Sequence, residues 1–440
     1  MGLIVDNFAG GGGASLGIEM AMGRHVDIAI NHDPEAIAMH KVNHPLTRHY
    51  CEDVWEVDPI SVTHGQPVDL AWFSPDCTHH SKARGDKPKN QKIRGLAWVA
   101  TKWAIQVHPE IIILENVEEF QDWGPVDEDG KLIKELAGET FNAFVEQFRN
   151  LDYSVEWKEL RACDYGAPTT RKRLFLVAKA DKADIRWPEK THGPGRKYPY
   201  HTASEIIDWS IPCKSIFGRK KPLCDNTMRR IHRGVMKFVI NNTNPFYTIT
   251  AIDHNALISP VLIQMGYGDP EERRVLDLHK PLGTITAQGN KFALAAAFLK
   301  KDYGAGTGQS VKDPLHTITA KSNHFALVQA FLMKYYGGGG DGQSLRDPLH
   351  TITAKDRFAL VTVGGEEYGI ADIGMRMLQP RELFSGNGFP SDYIIDVKRN
   401  DGKWFTKADK IHKCGNAVVP QVAAAVVSAN IEEARLNIAV

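Results

Sequence analysis

The N-terminal stretch, residues 1 to 22, constrains the fold of this chain more than any other. Leu3 to Phe8 has the length of a strand and is apolar except for Asp6 and Asn7, Ala9 to Gly13 is almost entirely glycine, and Ala14 to Met22 is spaced like a helix. A strand, a glycine turn and a helix in this order build the nucleotide pocket of doubly wound α/β folds, because glycine lets a ligand approach the helix N-terminus. The run is neither a clean dinucleotide fingerprint nor a phosphate loop. We therefore predict a doubly wound, Rossmann-like α/β domain with a cofactor pocket at this turn.

Two later strand ends offer polar groups to such a cofactor. The strand Val26 to Ile30 is followed by Asn31 and His32, at the position where doubly wound folds hydrogen-bond ribose hydroxyls. Asp53 and Val54 precede the next crossover, and an acid there can accept a hydrogen bond from an adenine amino group. Residues of these types also cap helices, and the sequence alone leaves the two interpretations about equal.

The apolar strand Val68 to Phe73 leads into a turn that carries Cys77. Pro75 precedes this cysteine, and two histidines and two basic side chains follow it closely. An electropositive loop favours the thiolate, so the setting is that of a nucleophile, although Asp76 works against it. Taken alone, the turn fits a buried structural cysteine better. Residues further along the chain reverse that preference.

Glu115 lies near the end of the apolar run Glu110 to Val117, which reads as a buried strand. An acid at the carboxyl end of a central parallel strand faces the ligand crevice and can donate a proton there; the alternative is a carboxylate satisfied by backbone amides. Arg171 and Arg173 alternate onto one face where the strand Leu174 to Ala178 begins. Such a pair is usually surface charge, but beside an acid and a thiol it becomes a clamp for an anion or a carbonyl.

Six short motifs follow one another along the chain: Asp6-Asn7-Phe8-Ala9-Gly10, Pro75-Asp76-Cys77, Glu115-Asn116-Val117, Asp164-Tyr165-Gly166-Ala167-Pro168 with Arg171 and Arg173, Arg381 to Pro390, and Gly415-Asn416-Ala417-Val418-Val419-Pro420. In this order they resemble the prokaryotic and phage DNA cytosine methyltransferases that act at carbon 5. The resemblance covers residues 1 to about 180 and 376 to 430. The chain differs from the family pattern at Asp76, usually proline, at Thr78 and Thr169, often glutamines, and at Asn31-His32, where an acidic and an aromatic residue are expected.

The resemblance implies a mechanism and a cofactor, S-adenosylmethionine, which leaves as S-adenosylhomocysteine. In that mechanism the Cys77 thiolate adds to carbon 6 of a cytosine that has flipped out of the duplex. Glu115 contacts ring nitrogen 3 and the exocyclic amine, Arg173 holds the 2-oxo oxygen, and Arg171 assists. The basic loop Lys82 to Arg94 would close over the base and grip phosphates. The residues expected to bind the cofactor are Phe8, Ala9, Gly10, Gly11, Gly13, Asn31, His32, Asp53, Val54, Asn416 and Ala417.

Residues 181 to 375 contain an internal repeat. A Thr-Ile-Thr core occurs four times, at 248–250, 284–286, 317–319 and 351–353, with spacings of 36, 33 and 34 residues. The β-branched core, followed by a turn and in three copies by Phe-Ala-Leu, favours paired strands over a helical array. We predict four small β units, which either track DNA phosphates through their glycine-rich loops or form a purely structural solenoid.

The composition limits the remaining possibilities. The 53 basic and 53 acidic side chains cancel, so only local patches can attract nucleic acid. Residues 82–94 carry six basic side chains against one acid, and residues 214–233 carry seven against one; each patch fits a solvated loop as well as a phosphate-binding surface. The six cysteines are scattered without a CxxC pair, which argues against disulfides and a zinc site. No apolar run has the ~18 residues of a membrane span.

These observations predict an α/β catalytic domain followed by a β-rich target-recognition domain. The catalytic domain spans residues 1–180 and is completed by 411–440, the recognition domain spans 181–375, and residues 376–410 bridge back. We expect a cytoplasmic monomer, without metal or membrane contact, that methylates carbon 5 of cytosine at a specific site in double-stranded DNA. Two alternatives remain open: a methyltransferase that acts on RNA cytosine, and a catalytically silent DNA-binding or regulatory protein.

Overall fold

The computed structural model describes residues 1–76, 95–217, 219–224, 227–228, 231–232, 235, 249–250, 256–264, 275–287, 292–301, 360–363 and 366–431. The chain divides into two compact units, which are described separately. The first unit comprises Met1–Ile207, His279–Asn290 and Gln379–Val440, and the second comprises Asp208–Leu278 and Lys291–Leu378.

The first unit contains a sheet of seven strands: β1 (Leu3–Asn7), β2 (Ile28–Ile30), β3 (Arg48–Tyr50), β4 (Val68–Phe73), β5 (Ile111–Asn116), β6 (Ser154–Arg161) and β7 (Lys172–Lys179). They lie in the order β3-β2-β1-β4-β5-β7-β6. Neighbours from β3 to β5 are parallel, whereas β7 runs antiparallel to both β5 and β6. The N-terminal strand is therefore central, with crossovers to either side, as a doubly wound sheet requires.

The helices described in the first unit are α1 (Gly13–Met22), α2 (Pro34–Asn43), α3 (Pro59–Thr63), α4 (Trp98–Val107), α5 (Glu139–Asn150), α6 (Pro380–Gly386), α7 (Lys407–Asn416) and α8 (Pro420–Asn430). Local chemistry sets where they begin. For α2, the Asp33 side chain accepts a hydrogen bond from the Glu35 amide (2.9 Å), and Pro34 occupies the first turn, where a missing amide hydrogen costs nothing. Asp58 caps α3 in the same way.

The central strands are continuous apolar runs because helices cover both faces of the sheet. Every residue of β5 is buried, and β4 is buried except for the half-buried Asp69. The apolar side chains of alternate positions belong to two separate core clusters, one on each face. The predicted doubly wound α/β fold is confirmed for this unit.

Helix α8 packs closely against α1, although the two lie at opposite ends of the chain. A Cβ atom added to Gly17 of α1 would lie 2.5 Å from the Cβ of Ala423 and 2.5 Å from the carbonyl oxygen of Pro420. No real Cβ tolerates such distances, so the contact depends on glycine at this position. The C-terminal segment thus lies beside the helix that follows the glycine turn.

The first unit extends past residue 180, where the sequence placed the domain boundary. Residues 181–207 remain with the sheet, since the Ser154 hydroxyl donates to the Ala183 carbonyl (2.5 Å) and the Arg186 amide donates to the Asn430 side chain (3.0 Å). His279–Asn290, assigned from sequence to the recognition domain, also belongs to the first unit. These contacts join residues far apart in the chain and leave no periodic signal in the sequence.

The strands described in the second unit are β8 (Lys214–Ser215), β9 (Ile249–Thr250), β10 (Ala256–Gln264), β11 (Val275–Leu276), β12 (Phe292–Lys301), β13 (Leu360–Val363) and β14 (Glu366–Met377). Their order is β11-β10-β12-β14-β13, with β9 on β10 and β8 on β14. The pairings among these strands are antiparallel.

The repeat does not form a strand pair in every copy. The segment after the second Thr-Ile-Thr core forms β12, which pairs along its length with β10, the strand that follows the first core. Ile249 and Thr250 of the first core form the short strand β9. Residues 284–286, the second core, have no strand structure, which corrects the prediction for this copy. The third and fourth cores lie outside the described residues.

In the described part of the chain, no helix combines the length and the apolar character needed to cross a membrane. The same residues contain no group of three or more His, Cys, Asp or Glu side chains that could hold a metal ion.

Candidate active site

Three parallel strands of the first unit end side by side. Asn7 at the end of β1 is paired with Phe73 at the end of β4, and Phe73 is paired with Leu114 of β5. The Ser74 amide also donates a hydrogen bond to the Asn7 carbonyl (3.3 Å). Ligands of doubly wound sheets bind beyond the carboxyl ends of such strands. The motifs that follow these three strands therefore leave the sheet at one edge.

Glu115 and Arg173, predicted to hold the base, form an ion pair at this edge. The Nε of Arg173 lies 3.3 Å from Oε1 of Glu115. Glu115 is only 7% exposed. Nη1 of Arg173 donates to the Lys172 carbonyl (2.8 Å), which fixes the direction of the guanidinium. A carboxyl group and a guanidinium side by side can together hold the polar edge of a planar ring.

The segment that leads to Cys77 is anchored at Pro75. The side-chain amide of Asn116 donates a hydrogen bond to the Pro75 carbonyl (3.3 Å), and Asn116 is almost fully buried. Asn116 is the neighbour of Glu115 on β5, so one strand both carries the acid and holds the chain two residues before the cysteine. Cys77 itself lies outside the described residues, as does the basic loop 82–94.

Arg171 contacts main-chain carbonyls in the interior of the first unit. Its Nη1 donates to the carbonyl oxygens of Ile285 (3.1 Å) and Gly415 (3.0 Å), and the residue is 4% exposed. The sequence grouped Arg171 with Arg173 as a clamp for the base. The structure gives them different neighbours, because Arg173 pairs with the acid while Arg171 joins two distant segments of the chain.

The turn after β1 has tight geometry and leaves open space. Phe8 has a positive φ of 61°, an unusual conformation for an aromatic residue and one that often marks a functional turn. The Ala9 amide donates to the Ile30 carbonyl (3.0 Å), which ties the turn to β2. A Cβ atom on Gly10 would meet nothing within 4 Å. The turn is therefore braced from one side and accessible at Gly10.

Other parts of the protein pack closely against the neighbouring glycines. A Cβ on Gly11 would lie 2.9 Å from the Sδ of Met39, and a Cβ on Gly13 would overlap the carbonyl of Val418. The Gly11 carbonyl accepts a hydrogen bond from the Tyr393 hydroxyl (2.5 Å). Gly11 and Gly13 thus pack closely against other parts of the protein, and their assignment to the cofactor stays a prediction.

Asn31 braces the turn. Its Nδ2 donates to the Ala9 carbonyl (3.1 Å), and its Oδ1 accepts a hydrogen bond from the Asp33 amide (2.8 Å). His32 is exposed beside it. Asp33 also forms an ion pair with the buried Lys413 of α7. The amide expected to bind ribose thus already bonds to the main chain on both sides.

The second cofactor pair from the sequence, Asp53 and Val54, divides into an exposed and a buried residue. The Asp53 carboxylate is at the surface and accepts a hydrogen bond from the Trp55 amide (3.0 Å). Val54 is 3% exposed and contributes to the core. Asp53 therefore makes a contact within a turn rather than at a helix end, and its role toward a cofactor stays a prediction.

Asn416 and Ala417 lie where α7 ends. Asn416 is exposed, with its Nδ2 3.4 Å from Nε2 of His412. Ala417 is buried. The next residue, Val418, is the one whose carbonyl a Cβ on Gly13 would overlap. The end of α7 therefore adjoins the glycine turn, and Asn416 is the member of the pair with a side chain open to solvent.

A buried polar network under the turn was not predicted. The Ser15 hydroxyl donates to Oδ2 of Asp6 (2.7 Å) and lies 2.9 Å from Nε2 of His40, whose Nδ1 lies 2.8 Å from Nε2 of His49. Burial raises the pKa of Asp6 to about 7 and lowers the pKa of His49 to about 4. The only sequence signal was an aspartate inside an apolar strand, since the partners share no spacing.

The polar atoms around the turn fit the cofactor that the sequence implies. Among the described residues, neither polar atom of the Asn7 side chain has a hydrogen-bond partner, although Asn7 is fully buried, and Oδ1 of Asp6 has none either. Buried polar groups are nearly always satisfied. The Asn7 amide and Oδ1 of Asp6, which lack hydrogen-bond partners at the base of an open glycine turn, therefore suit a ligand with many polar atoms, such as a nucleoside.

The buried thiols of the first unit are poor nucleophiles. Burial raises the pKa of Cys163 to about 11 and raises that of Cys414 as well. A thiol with a raised pKa is not a thiolate near neutral pH. Neither of these cysteines is therefore suited to covalent chemistry.

The chain is similar to known proteins over most of its length. A model of the family described as C-5 cytosine-specific DNA methylase matches residues 3–432. The Type II methyltransferase M1.HphI of Haemophilus parahaemolyticus is 26% identical over 212 residues, which are 46% of this chain and 51% of that protein. The Type II methyltransferase M.AquIA of a Picosynechococcus strain is 24% identical over 226 residues, 48% of this chain and 89% of that one. The chain spans about half the length of most curated relatives that it matches.

A solved structure shares the fold. It is the crystal structure of an E. coli protein described as a DNA modification methyltransferase encoded within a prophage. It aligns with a TM-score of 0.51 at 16% identity, over 98% of both chains.

Proposed function

Because the chain belongs to the family of C-5 cytosine-specific DNA methylases, we propose that it methylates carbon 5 of cytosine at a specific site in double-stranded DNA. One observation carries the proposal. The Glu115–Arg173 ion pair lies at the carboxyl end of β5, and Asn116 of the same strand holds the segment that leads to Cys77. Covalent addition to cytosine needs an acid, a guanidinium and a thiolate, and we assign the third role to Cys77, which follows the segment held by Asn116.

The residues divide the chemistry among them. The Cys77 thiolate adds to carbon 6, and the electron pair of the ring double bond becomes available at carbon 5. Glu115 donates a hydrogen bond or proton at ring nitrogen 3, and Arg173 donates to the 2-oxo oxygen, so the charge that develops in the ring is neutralised. Once carbon 5 carries the methyl group, its proton leaves to water, the carbon–sulfur bond breaks, and aromaticity returns.

The proposed cofactor is S-adenosylmethionine, which supplies an electrophilic sulfonium methyl group when bound. In this chain the open turn at Gly10, the left-handed Phe8 and the unsatisfied amide of Asn7 would hold it. Asn31 would support the turn from behind, through its bond to Ala9. His32, Asp53 and Asn416 are exposed and remain proposed contacts for the nucleoside.

The DNA must release the target base from its stack before this chemistry can occur. We assign phosphate contacts during that step to the basic loop 82–94, and further DNA contacts to the basic residues within 214–233. Both assignments derive from the charge of the sequence. The Type II names of the relatives favour a role in modifying a defined DNA site.

A trapping experiment tests the proposal. Duplex DNA with 5-fluorocytosine at the target should form a denaturant-stable complex in the presence of S-adenosylmethionine, because fluorine cannot leave as a cation. Cys77→Ser should abolish the complex, whereas the matched control Cys51→Ser, at an exposed cysteine, should leave it intact. A protein that methylates DNA fully yet never forms the complex would contradict the role of Cys77.

The same assay separates the alternatives from the sequence. An RNA cytosine methyltransferase would form the complex on RNA and not on duplex DNA. A silent DNA-binding protein would form it on neither and would leave no methylcytosine in bisulfite sequencing of DNA from cells that express it. Methylated cytosine in one sequence context of that DNA is the outcome we expect.

A further inference from the structure

We propose that Arg171 is a positioning residue rather than a contact for the base. Its guanidinium joins the second Thr-Ile-Thr core to Gly415, and this holds in place the strand that presents Arg173 to Glu115. The inference rests on the proposed function, since the Glu115–Arg173 pair has a catalytic meaning only there.

The segment that contains the second core, residues 281–287, is bonded to the segment that begins β7. The Leu282 amide donates to the Pro168 carbonyl (2.8 Å), and the Leu282 carbonyl accepts from the Thr170 amide (2.7 Å). The Thr169 hydroxyl donates to the Gly283 carbonyl (3.2 Å). These bonds form a short parallel bridge, so a piece of the repeat is built into the catalytic unit.

The side chains of the core are seated in an apolar pocket of the first unit. Leu282 is fully buried and Ile285 is 2% exposed. A Cβ atom on Gly386 of α6 would lie 3.0 Å from Leu282, 3.0 Å from Ile206 and 3.3 Å from Ile285, so glycine makes room for them. Removing two such side chains from water stabilises the packing of this segment. This pocket beside Gly386 and Ile206, called the seat below, is therefore a stable part of the fold.

Arg171 lies where the core meets the end of α7. Its two acceptors, the carbonyls of Ile285 and Gly415, belong to segments that are far apart in sequence. A Cβ atom on Gly415 would overlap the main chain of Thr286 and Ala287, so the two segments touch without a side chain between them. A buried guanidinium needs such acceptors, because an uncompensated buried charge is strongly destabilising.

The position of Arg171 is transmitted to Arg173 along the chain. The Arg171 carbonyl accepts a hydrogen bond from the Ala162 amide (2.8 Å), and β7 starts at the next residue, Lys172. Residues two apart in a strand point to the same side, so the anchor at Arg171 sets the direction of Arg173. Without it, the start of β7 is freed and the 3.3 Å contact of Arg173 with Glu115 loosens.

A double-mutant cycle between Arg171→Ala and Gly415→Ala tests the inference. Gly415→Ala expels the core because its Cβ has no room, and Arg171→Ala removes the link to it. If Arg171 acts through the core, each variant lowers kcat by about 10- to 100-fold with KM for DNA nearly unchanged, and the double variant is no worse than the poorer single one. Additive losses would show that Arg171 does not act through the core, and a large rise in KM for DNA in Arg171→Ala alone would show a contact with the substrate; either result would overturn the inference.

Hydrogen exchange provides a readout that does not depend on methyl transfer. In Arg171→Ala the Thr170 amide, which donates to Leu282, should exchange faster than in the wild type, and Arg196→Ala, at an exposed arginine, should leave it unchanged. Leu282→Ala, which empties part of the seat, takes the place of Gly415→Ala in the cycle if the latter does not fold. Unchanged exchange at Thr170 in Arg171→Ala would overturn the inference. If the wild-type protein transfers no methyl group, the proposed function is refuted instead. The exchange experiment would still test whether Arg171 holds the start of β7 in place.

Discussion

Asn116 holds Pro75 through a hydrogen bond of 3.3 Å from its side-chain amide to the proline carbonyl. Proline has no amide hydrogen, so this carbonyl is the only main-chain group by which Pro75 can be held. The bond connects the segment after β4 to β5, on which Glu115 is the preceding residue. One strand therefore both carries Glu115 and holds the start of the segment that leads to Cys77, the proposed nucleophile.

Replacing Asn116 should slow the covalent step more than it weakens cofactor binding. Asn116→Asp keeps the size but loses the donor, so the Pro75 carbonyl loses its partner and the protein is destabilised by about 1–3 kcal/mol. We expect the rate of complex formation with 5-fluorocytosine DNA to fall by roughly 10-fold or more. The affinity for S-adenosylmethionine, measured by calorimetry, should stay within about twofold. A normal trapping rate in a folded variant would contradict the role of Asn116.

Glu115 and Arg173 should be needed for turnover and dispensable for the fold. Glu115→Gln keeps a hydrogen-bonding side chain beside Arg173 but cannot donate a proton, so kcat should fall by roughly 10²-fold or more. Thermal unfolding should shift little, because glutamine keeps an acceptor for Arg173, and Arg173 is partly exposed to solvent. Glu146→Gln, at an exposed glutamate of α5, is the control and should leave kcat unchanged. Unfolding of Glu115→Gln with full activity in the folded fraction would make Glu115 a structural residue.

The central sheet could be predicted because its signal is local. Leu3 to Phe8 and Val68 to Phe73 are apolar runs bounded by glycine, proline and polar residues, and they became β1 and β4. Glu115 and Arg173 could be placed for the same reason, since each lies at the end of such a run. Their pairing is confirmed as a contact by the 3.3 Å distance, whereas their catalytic role stays a prediction.

The environment of Arg171 could not be predicted, because its acceptors come from Ile285 and Gly415 through main-chain carbonyls, which any residue carries. Asn31 illustrates the same limit. Its type suits ribose, a role that stays a prediction, and its bonds to Ala9 and Asp33 depend on how closely two strand ends approach. The repeat suggested equivalent β units, but tertiary contacts gave the second core a different structure from the first.

Stability should depend on pH through Asp6. Burial raises its pKa to about 7, whereas in the unfolded chain it titrates near 4. The folded state therefore keeps its proton between these values, and the resulting stabilisation is present below about pH 4 and lost as the pH rises through about 7. His40 and His49, whose pKa values burial lowers, act in the opposite sense, since stability is lost as the pH falls below about 6.5.

Asp6→Asn separates these effects, because it removes the carboxyl and keeps the histidines. Between about pH 5 and about pH 8, the free energy of unfolding of the variant should rise relative to that of the wild type, since only the wild type must ionise a buried acid. Ser15→Ala, which removes the hydrogen bond but keeps the carboxyl, is the matched control and should retain the pH dependence. Urea unfolding at the two pH values measures the difference, and parallel pH profiles for Asp6→Asn and wild type would refute it.

Deleting residues 281–313 should leave the seat on the first unit filled. The deletion removes one repeat spacing of 33 residues and joins Lys280 to Pro314, so the third core follows directly where the second began. Both cores read Pro-Leu-x-Thr-Ile-Thr-Ala. The first unit contacts the second core through main-chain atoms and through Leu282 and Ile285, which the third core would supply as Leu315 and Ile318. We therefore expect a folded protein that binds S-adenosylmethionine and keeps methyl transfer within about tenfold of wild type.

The control for this splice is the same deletion with Leu315→Asp. A carboxylate in an apolar seat without a partner costs several kcal/mol, so this version should lose methyl transfer and unfold at a lower temperature than the plain deletion. Bisulfite maps of the plain deletion and the parent then show whether the removed repeat read bases, which would shift the methylated sequence, or contacted phosphates only, which would weaken binding at every site and reduce its salt dependence. If the plain deletion is as inactive and as unstable as the Leu315→Asp version, the seat accepts the second core alone and the prediction is wrong.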